Sequence, residues 1–355
     1  MEPPVLLVDD PRFDRHTPLG HHPERPERLT AAREAVKRLE QGGTAFRRVP
    51  PRPATDDELA RVHDPRFVES FSRLEGRSGY IDPDTYLSTE SAAVARLAAG
   101  SLVATVDALL EPPASTTTDT SGPITKAVAL LRPPGHHARP TQAMGFCLLN
   151  NVAVAAAHAL ARGLRRVAIV DWDVHHGNGT QEMFFEDPRV LYLSTHQYPF
   201  YPGTGDVTES GRAEGSGYTV NVPLTAGGGD AVYAAAFERV ILPVLEAYAP
   251  ELVLVSAGFD ASVADPLAQM ELSDAAFGWM ASDLARVAER SASGRMALVL
   301  EGGYDLVALE SGLVSAMNGM LARGPSVARI APAAITPPDV ERAMRHAKNA
   351  WGTVG

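Results

Sequence analysis

Val167-Ala168-Ile169-Val170-Asp171-Trp172-Asp173-Val174-His175-His176-Gly177-Asn178-Gly179 is the stretch on which the reading of this chain turns. Four apolar, mostly β-branched residues stop abruptly at acids, histidines and glycines. A short apolar run of this kind reads as a strand buried on both faces, as in a parallel sheet. The polar cluster then falls just past the strand's carboxyl end, where open α/β sheets place their ligands. Asp173 and His175 are two residues apart, so extended backbone points both side chains the same way. Carboxylate and imidazole together suit a first-row transition ion, zinc above all. An acid after a buried strand is often only a turn or cap residue. Two acids and two histidines within six positions point to a site.

Outward from this stretch, the pattern alternates. Apolar runs at Val5–Val8, Ala127–Leu131, Val190–Leu193, Leu252–Val255 and Ala297–Leu300 read as further strands. Helical patterns fill residues 29–39, 56–74 with a break at Asp64-Pro65, 89–110, 150–162, 230–248, 273–291, 309–321 and 338–350. Strands alternating with helices predict an α/β fold with a mostly parallel sheet covered on both faces. Residues 111–125, rich in Pro, Ser and Thr, read as an exposed loop, and the same rhythm on either side favours one domain over residues 1–355.

The strand ends predict one pocket. Parallel strands would bring Arg132-Pro133-Pro134-Gly135-His136-His137-Ala138, Asp171 to His175, Ser194-Thr195-His196, Ser256 to Asp260 and Glu301-Gly302-Gly303-Tyr304 to the same sheet edge. Asp173, His175 and Asp260 would supply three metal ligands and leave a fourth position open, the pattern of a catalytic rather than a structural ion. His136 and His137 can exchange protons near neutral pH. Tyr304 can donate to a developing oxyanion, worth roughly 3 kcal/mol, and Asp171 can orient a histidine. Tandem histidines alone say little, since the chain has three such pairs, and His63 and His158 read as packing or surface residues.

Composition narrows the classes. The chain has 355 residues, 45% of them hydrophobic, enough for a sizeable core. No apolar run looks long enough to cross a membrane, and the first residues do not read as a basic region followed by an apolar core. A single cysteine, Cys147, excludes an internal disulfide and suits a reducing, cytoplasmic compartment. A net charge of −11 argues against broad nucleic-acid binding. Homo-oligomerisation is compatible with the sequence.

The combination of residues 132–138 with Asp171-Trp172-Asp173-Val174-His175-His176-Gly177-Asn178-Gly179-Thr180-Gln181 resembles the zinc-dependent histone deacetylase superfamily, which includes bacterial deacetylase-like amidohydrolases and acetylpolyamine amidohydrolases. Gly145-Phe146-Cys147, residues 201–205, residues 256–261 and Leu300 to Tyr304 support it, and the likeness runs from about His21 to Gly319. The resemblance implies an arginase-deacetylase fold with an eight-stranded sheet and zinc, or ferrous iron, on Asp173, His175 and Asp260. It implies Asp171 behind His136, Asn178 behind His137, and a narrow tunnel lined by Gly145, Phe146 and Tyr201. It further implies a potassium ion near Asp171, Asp173, His175, Ser194 and Thr195. Asn178, where class I members carry aspartate, and residues 22–29 resemble class II; His137, beside a neutral amide, is then the proton shuttle. Leu267 stands where polyamine-selective relatives carry glutamate, so acetyl-lysine is expected over acetylpolyamine as substrate. A small-amine amidohydrolase is the nearest rival. A two-metal ureohydrolase would need ligands that are not seen near Asp260, and a non-catalytic acyl-lysine module usually lacks a ligand or the tyrosine.

Overall fold

The computed structural model describes residues 3–111, 123–322 and 330–352, so most of the Pro/Ser/Thr-rich segment at 111–125 lies outside the described residues. Eight strands form one parallel sheet: β1 Val5–Val8, β2 Phe46–Arg48, β3 Lys126–Ala129, β4 Val167–Asp171, β5 Val190–Gln197, β6 Thr219–Leu224, β7 Leu252–Ala257 and β8 Met296–Leu300. Their order across the sheet is β2-β1-β3-β8-β7-β4-β5-β6, and every pairing is parallel. The late strands β7 and β8 insert between β3 and β4. The four loops carrying the histidine pair, Tyr304, Asp260 and Asp173 therefore leave four adjacent strands at one edge. Register sharpens this convergence, since Asp171 pairs with both Ser194 and Ser256.

The principal helices are α1 Glu27–Gln41, α2 Ser91–Leu110, α3 Asn151–Ala161, α4 Asn178–Phe184, α5 Asp274–Ser291, α6 Leu306–Met320 and α7 Pro338–Ala350. Helices α1, α5 and α6 pack together, α2 packs on α3, and α7 covers the edge strand β6. Apart from Lys126 at the start of β3, the inner strands are buried along their whole length, which explains their largely apolar sequences.

Several expectations need correcting. Both outer strands escaped the sequence pattern: β2 is three residues long, and β6 mixes Thr219, Asn221 and Pro223 among its apolar residues. Proline lacks a ladder donor and is tolerated at a sheet edge, where one side of the strand has no neighbour. Strand β5 runs on to Gln197, so Ser194 and Thr195 sit inside the strand rather than beyond it. Residues 230–248 are two helical segments joined by a π-helical turn at Phe237–Ile241. Pro243 has no N–H for the carbonyl four residues back, and the wider turn absorbs the break. Helix α2, with a mean hydropathy of 1.6, does reach the length and apolarity of a membrane span; 67% of that window is buried inside the fold, as in a core helix.

Candidate active site

Strand β4 delivers Asp173 and His175, and β7 delivers Asp260. His175 Nδ1 lies 3.2 Å from Asp173 Oδ1 and 3.1 Å from Asp260 Oδ2. One ligand atom from each residue lies within 4.8 Å of the others. Both carboxylates are buried, and backbone N–H groups orient them: Gly302 donates to Asp173 Oδ2 at 2.7 Å and Val174 to Asp260 Oδ1 at 3.0 Å. A Cβ on Gly302 would stand 2.1 Å from Asp260 Oδ2, so only glycine lets this chain pass behind the pair. Although burial opposes its charge, His175 is raised to about 10 by its hydrogen bonds to Asp173 and Asp260. Two buried carboxylates thus draw positive charge to the point where a divalent cation would sit. One imidazole and two carboxylates form a donor set that fits zinc or ferrous iron.

The loop after β3 places His136 and His137 beside this cluster. His136 Nδ1 stands 3.1 Å from Asp171 Oδ2, which also accepts from the Tyr192 hydroxyl at 3.1 Å. Burial disfavours the imidazolium, yet the carboxylates of Asp173 and Asp171 overcome it and lift His136 to about 10. His137 Nδ1 instead meets the neutral Asn178 Oδ1 at 2.8 Å. Burial, reinforced by the charges of His136 and His175, lowers His137 well below the ordinary imidazole value. At neutral pH the pair holds one charged and one neutral ring.

These groups border a cavity of about 250 Å³ lined by Gly145, Phe146, Phe200, Tyr201, Leu267 and Tyr304, with Asp84 among its wall residues. Phe200 stacks on His175 at 5.4 Å, while Tyr201 meets His137 edge-on at 5.2 Å. Gly145 and Phe146 both have positive φ, 58° and 67°. A Cβ on Gly145 would come 2.5 Å from His137 Cδ2, so the glycine admits the ring while turning Phe146 into the wall. The phenol of Tyr304 is pushed well above its usual value, chiefly by burial, and keeps its proton to donate.

The sequence reading left some of this machinery unassigned. Phe200 and Asp84 lack motif context, although Phe200 directly precedes Tyr201. The polar loop before α1 does more than break structure. Glu24, Arg28 and Arg132 are fully buried. Glu24 accepts from Arg132 Nη2 at 2.7 Å and from the Tyr86 hydroxyl at 2.7 Å, with Arg28 Nη1 at 3.3 Å. Arg28 donates to the Gly303 carbonyl at 2.7 Å, and its guanidinium lies 4.9 Å over the Tyr304 ring. His63 and His158 are structural, as expected: His63 bonds backbone at Arg139 and Asn150, and His158 lies between Arg61 and Asp107. Of the residues expected near potassium, Asp171 and Ser194 are register partners on β4 and β5, and the buried Thr195 hydroxyl has no hydrogen-bond partner among the described residues.

Residues 22–320 match the histone deacetylase domain. The chain belongs to the histone deacetylase family. Its relatives include the histone deacetylase-like amidohydrolase of Pseudomonas aeruginosa, 44% identical over 71% of this chain and 64% of that protein. The polyamine deacetylase HDAC10 of Homo sapiens is 41% identical over 89% of this chain, which spans only 46% of that protein's length. Among solved structures, the HDA15 HD domain superposes with a TM-score of 0.87 at 36% identity, covering 99% of this chain and 96% of the other. The arginase-deacetylase fold expected from the motifs is therefore the observed one. As a family member the chain is an amide-hydrolysing deacetylase, and the cluster of Asp173, His175 and Asp260 is its candidate metal site.

Proposed function

We propose that this deacetylase hydrolyses the amide of N-acetylated lysine side chains with the help of zinc held by Asp173, His175 and Asp260. The observation that carries the reading is the meeting of that donor set with two histidines, one bonded to the Asp171 carboxylate and one to the Asn178 amide, at one end of an aromatic-walled cavity. Zinc in such a site acidifies a water molecule and polarises the acyl oxygen. The chain supplies the rest. Asn178 holds Nδ1 of His137, leaving Nε2 free to take a proton from the attacking water and pass it to the departing amine. His136, fixed by Asp171, contributes steady positive charge. Tyr304 presents its hydroxyl to the developing oxyanion. Phe146, Phe200 and Tyr201 enclose the apolar aminoalkyl stem. The unpartnered Thr195 hydroxyl supports a potassium ion at Asp171, Asp173, His175, Ser194 and Thr195.

Leu267 supports lysine over polyamine, because its apolar side chain in the cavity wall cannot pair with a distant ammonium. The single buried thiol of Cys147 and the net charge of −11 support a cytoplasmic setting without nucleic acid as partner. Comparing kcat/KM of the zinc-loaded protein on an acetyl-lysine peptide and on acetylspermidine tests the reading. Preference for the peptide is expected; preference for acetylspermidine would transfer the proposal to small acylated amines, and inactivity on both would reject it.

A further inference from the structure

Asp265 belongs to the loop that follows β7, and no step above uses it. Its side chain is buried, 6% exposed, where two site-forming loops meet. Oδ2 accepts the backbone N–H of Tyr304 at 2.6 Å and of Asp305 at 3.1 Å, while Oδ1 accepts that of Leu267 at 3.0 Å. A single carboxylate thus ties the backbone of the candidate polarising tyrosine to that of the residue in the cavity wall.

The local backbone makes this tether consequential. Gly303 adopts φ 117°, a conformation open to glycine and little constrained by its own sterics. The direction in which the chain leaves this hinge must be set from outside. Gly302 is held by Asp173, and Arg28 grips the Gly303 carbonyl, the other end of the planar peptide unit whose N–H, that of Tyr304, Asp265 accepts. Asp265 grips the backbone of Tyr304 directly, and Asp305 goes on to cap α6 through Ala308. Hydrogen bonds to an ionised acceptor are shorter and stronger than neutral ones, which suits a fixed anchor.

We propose that Asp265 is a positioning residue that sets Tyr304 and the Leu267 wall as one unit, so that placement of the tyrosine hydroxyl depends on a carboxylate that touches no substrate. The proposal rests on the role assigned to Tyr304 above. Asparagine at this position keeps the shape but leaves one acceptor oxygen for three donors, and turns an NH2 group towards an N–H that has lost its partner.

The test compares Asp265→Asn, Asp265→Glu and Tyr304→Phe, singly and with Asp265→Asn combined with Tyr304→Phe, on the better of the two acetylated substrates. For Asp265→Asn, kcat should fall at least about tenfold with KM changed less than about twofold, the signature of an interaction lost in the transition state. Asp265→Glu, which keeps both oxygens, should recover part of that loss. Added to Tyr304→Phe, the Asn substitution should cost less than about twofold more, because both changes remove one contribution. Additive losses, or unchanged kcat in folded Asp265→Asn, would overturn the proposal. If Asp265→Asn does not fold, Asp265→Glu takes its place in the cycle. A crystal structure of the variant gives a readout without turnover: a displaced Tyr304 is expected, and an unmoved one would refute the role. Should the parent protein hydrolyse neither substrate, the proposed activity fails, and the crystallographic comparison alone decides the role of Asp265.

Discussion

Replacing Asn178 with aspartate should move the pH dependence of catalysis in a direction that the site geometry fixes. Asn178 Oδ1 stands 2.8 Å from Nδ1 of His137, so the substitution puts a negative charge against that ring with almost no change in shape. In the wild type, burial and the charges of His136 and His175 hold His137 well below the ordinary imidazole range; a bound cation at His175 would act with the same sign. An opposite charge at this distance shifts an ionisable group by about 1–3 pKa units, or roughly 1.4–4 kcal/mol. That range stays below the roughly 6 kcal/mol that Coulomb's law gives at 2.8 Å with an effective dielectric of about 20. His137 must be neutral to accept a proton, so a higher value shortens the pH window in which it works. The acid limb of kcat/KM, which reports the essential base of the free enzyme, should move up by about 1–3 units. The assay is a pH profile of kcat/KM for parent and variant at equal metal content. Overlapping acid limbs would refute the assignment of His137 as the proton shuttle.

Two further outcomes are expected. Leu267→Glu places a carboxylate in the wall of the cavity, and a charge-assisted hydrogen bond of about 1.5–3 kcal/mol should raise the ratio of kcat/KM on acetylspermidine to that on acetyl-lysine peptide by about tenfold or more; an unchanged ratio would remove Leu267 from the selectivity argument. Glu24→Ala leaves Arg28 and Arg132 buried without their carboxylate and should cost about 3–5 kcal/mol in urea unfolding. Burial raises the Glu24 carboxyl, but Arg132 overrides it and holds the group well below its usual 4.5. Its contribution is therefore complete above pH 4.5 and is lost as the pH falls through the folded value, a loss the variant should not show.

The alternation of buried runs and helical patterns was enough to name five of the six inner strands closely and the carboxyl-end clusters after them. Such runs are local: β-branched residues between turn signals need no knowledge of their neighbours to be read. Strands β2 and β6 were illegible because β2 is short and largely exposed, while β6, though buried, carries the Thr, Asn and Pro that a sheet edge tolerates. The resemblance supplied the count of eight and the pairing of His136 with Asp171 and His137 with Asn178, which the observed distances match.

The sequence by itself determined which chemical groups the protein carries and that each stands at the end of a strand. The tertiary structure alone decided that four of those ends are neighbours, because the order β3-β8-β7-β4 depends on pairings between residues 43 to 170 positions apart. It also decided that Glu24 would be buried against Arg132 and that Asp265 would reach Tyr304. Burial lowers both imidazoles, but the carboxylates of Asp173 and Asp171 lift His136 while the charges of His136 and His175 press His137 further down, since a ring's charge depends on what surrounds it in space rather than in sequence. Periodicity reports on neighbours along the chain, whereas electrostatics and hydrogen bonding in a site depend on neighbours through space.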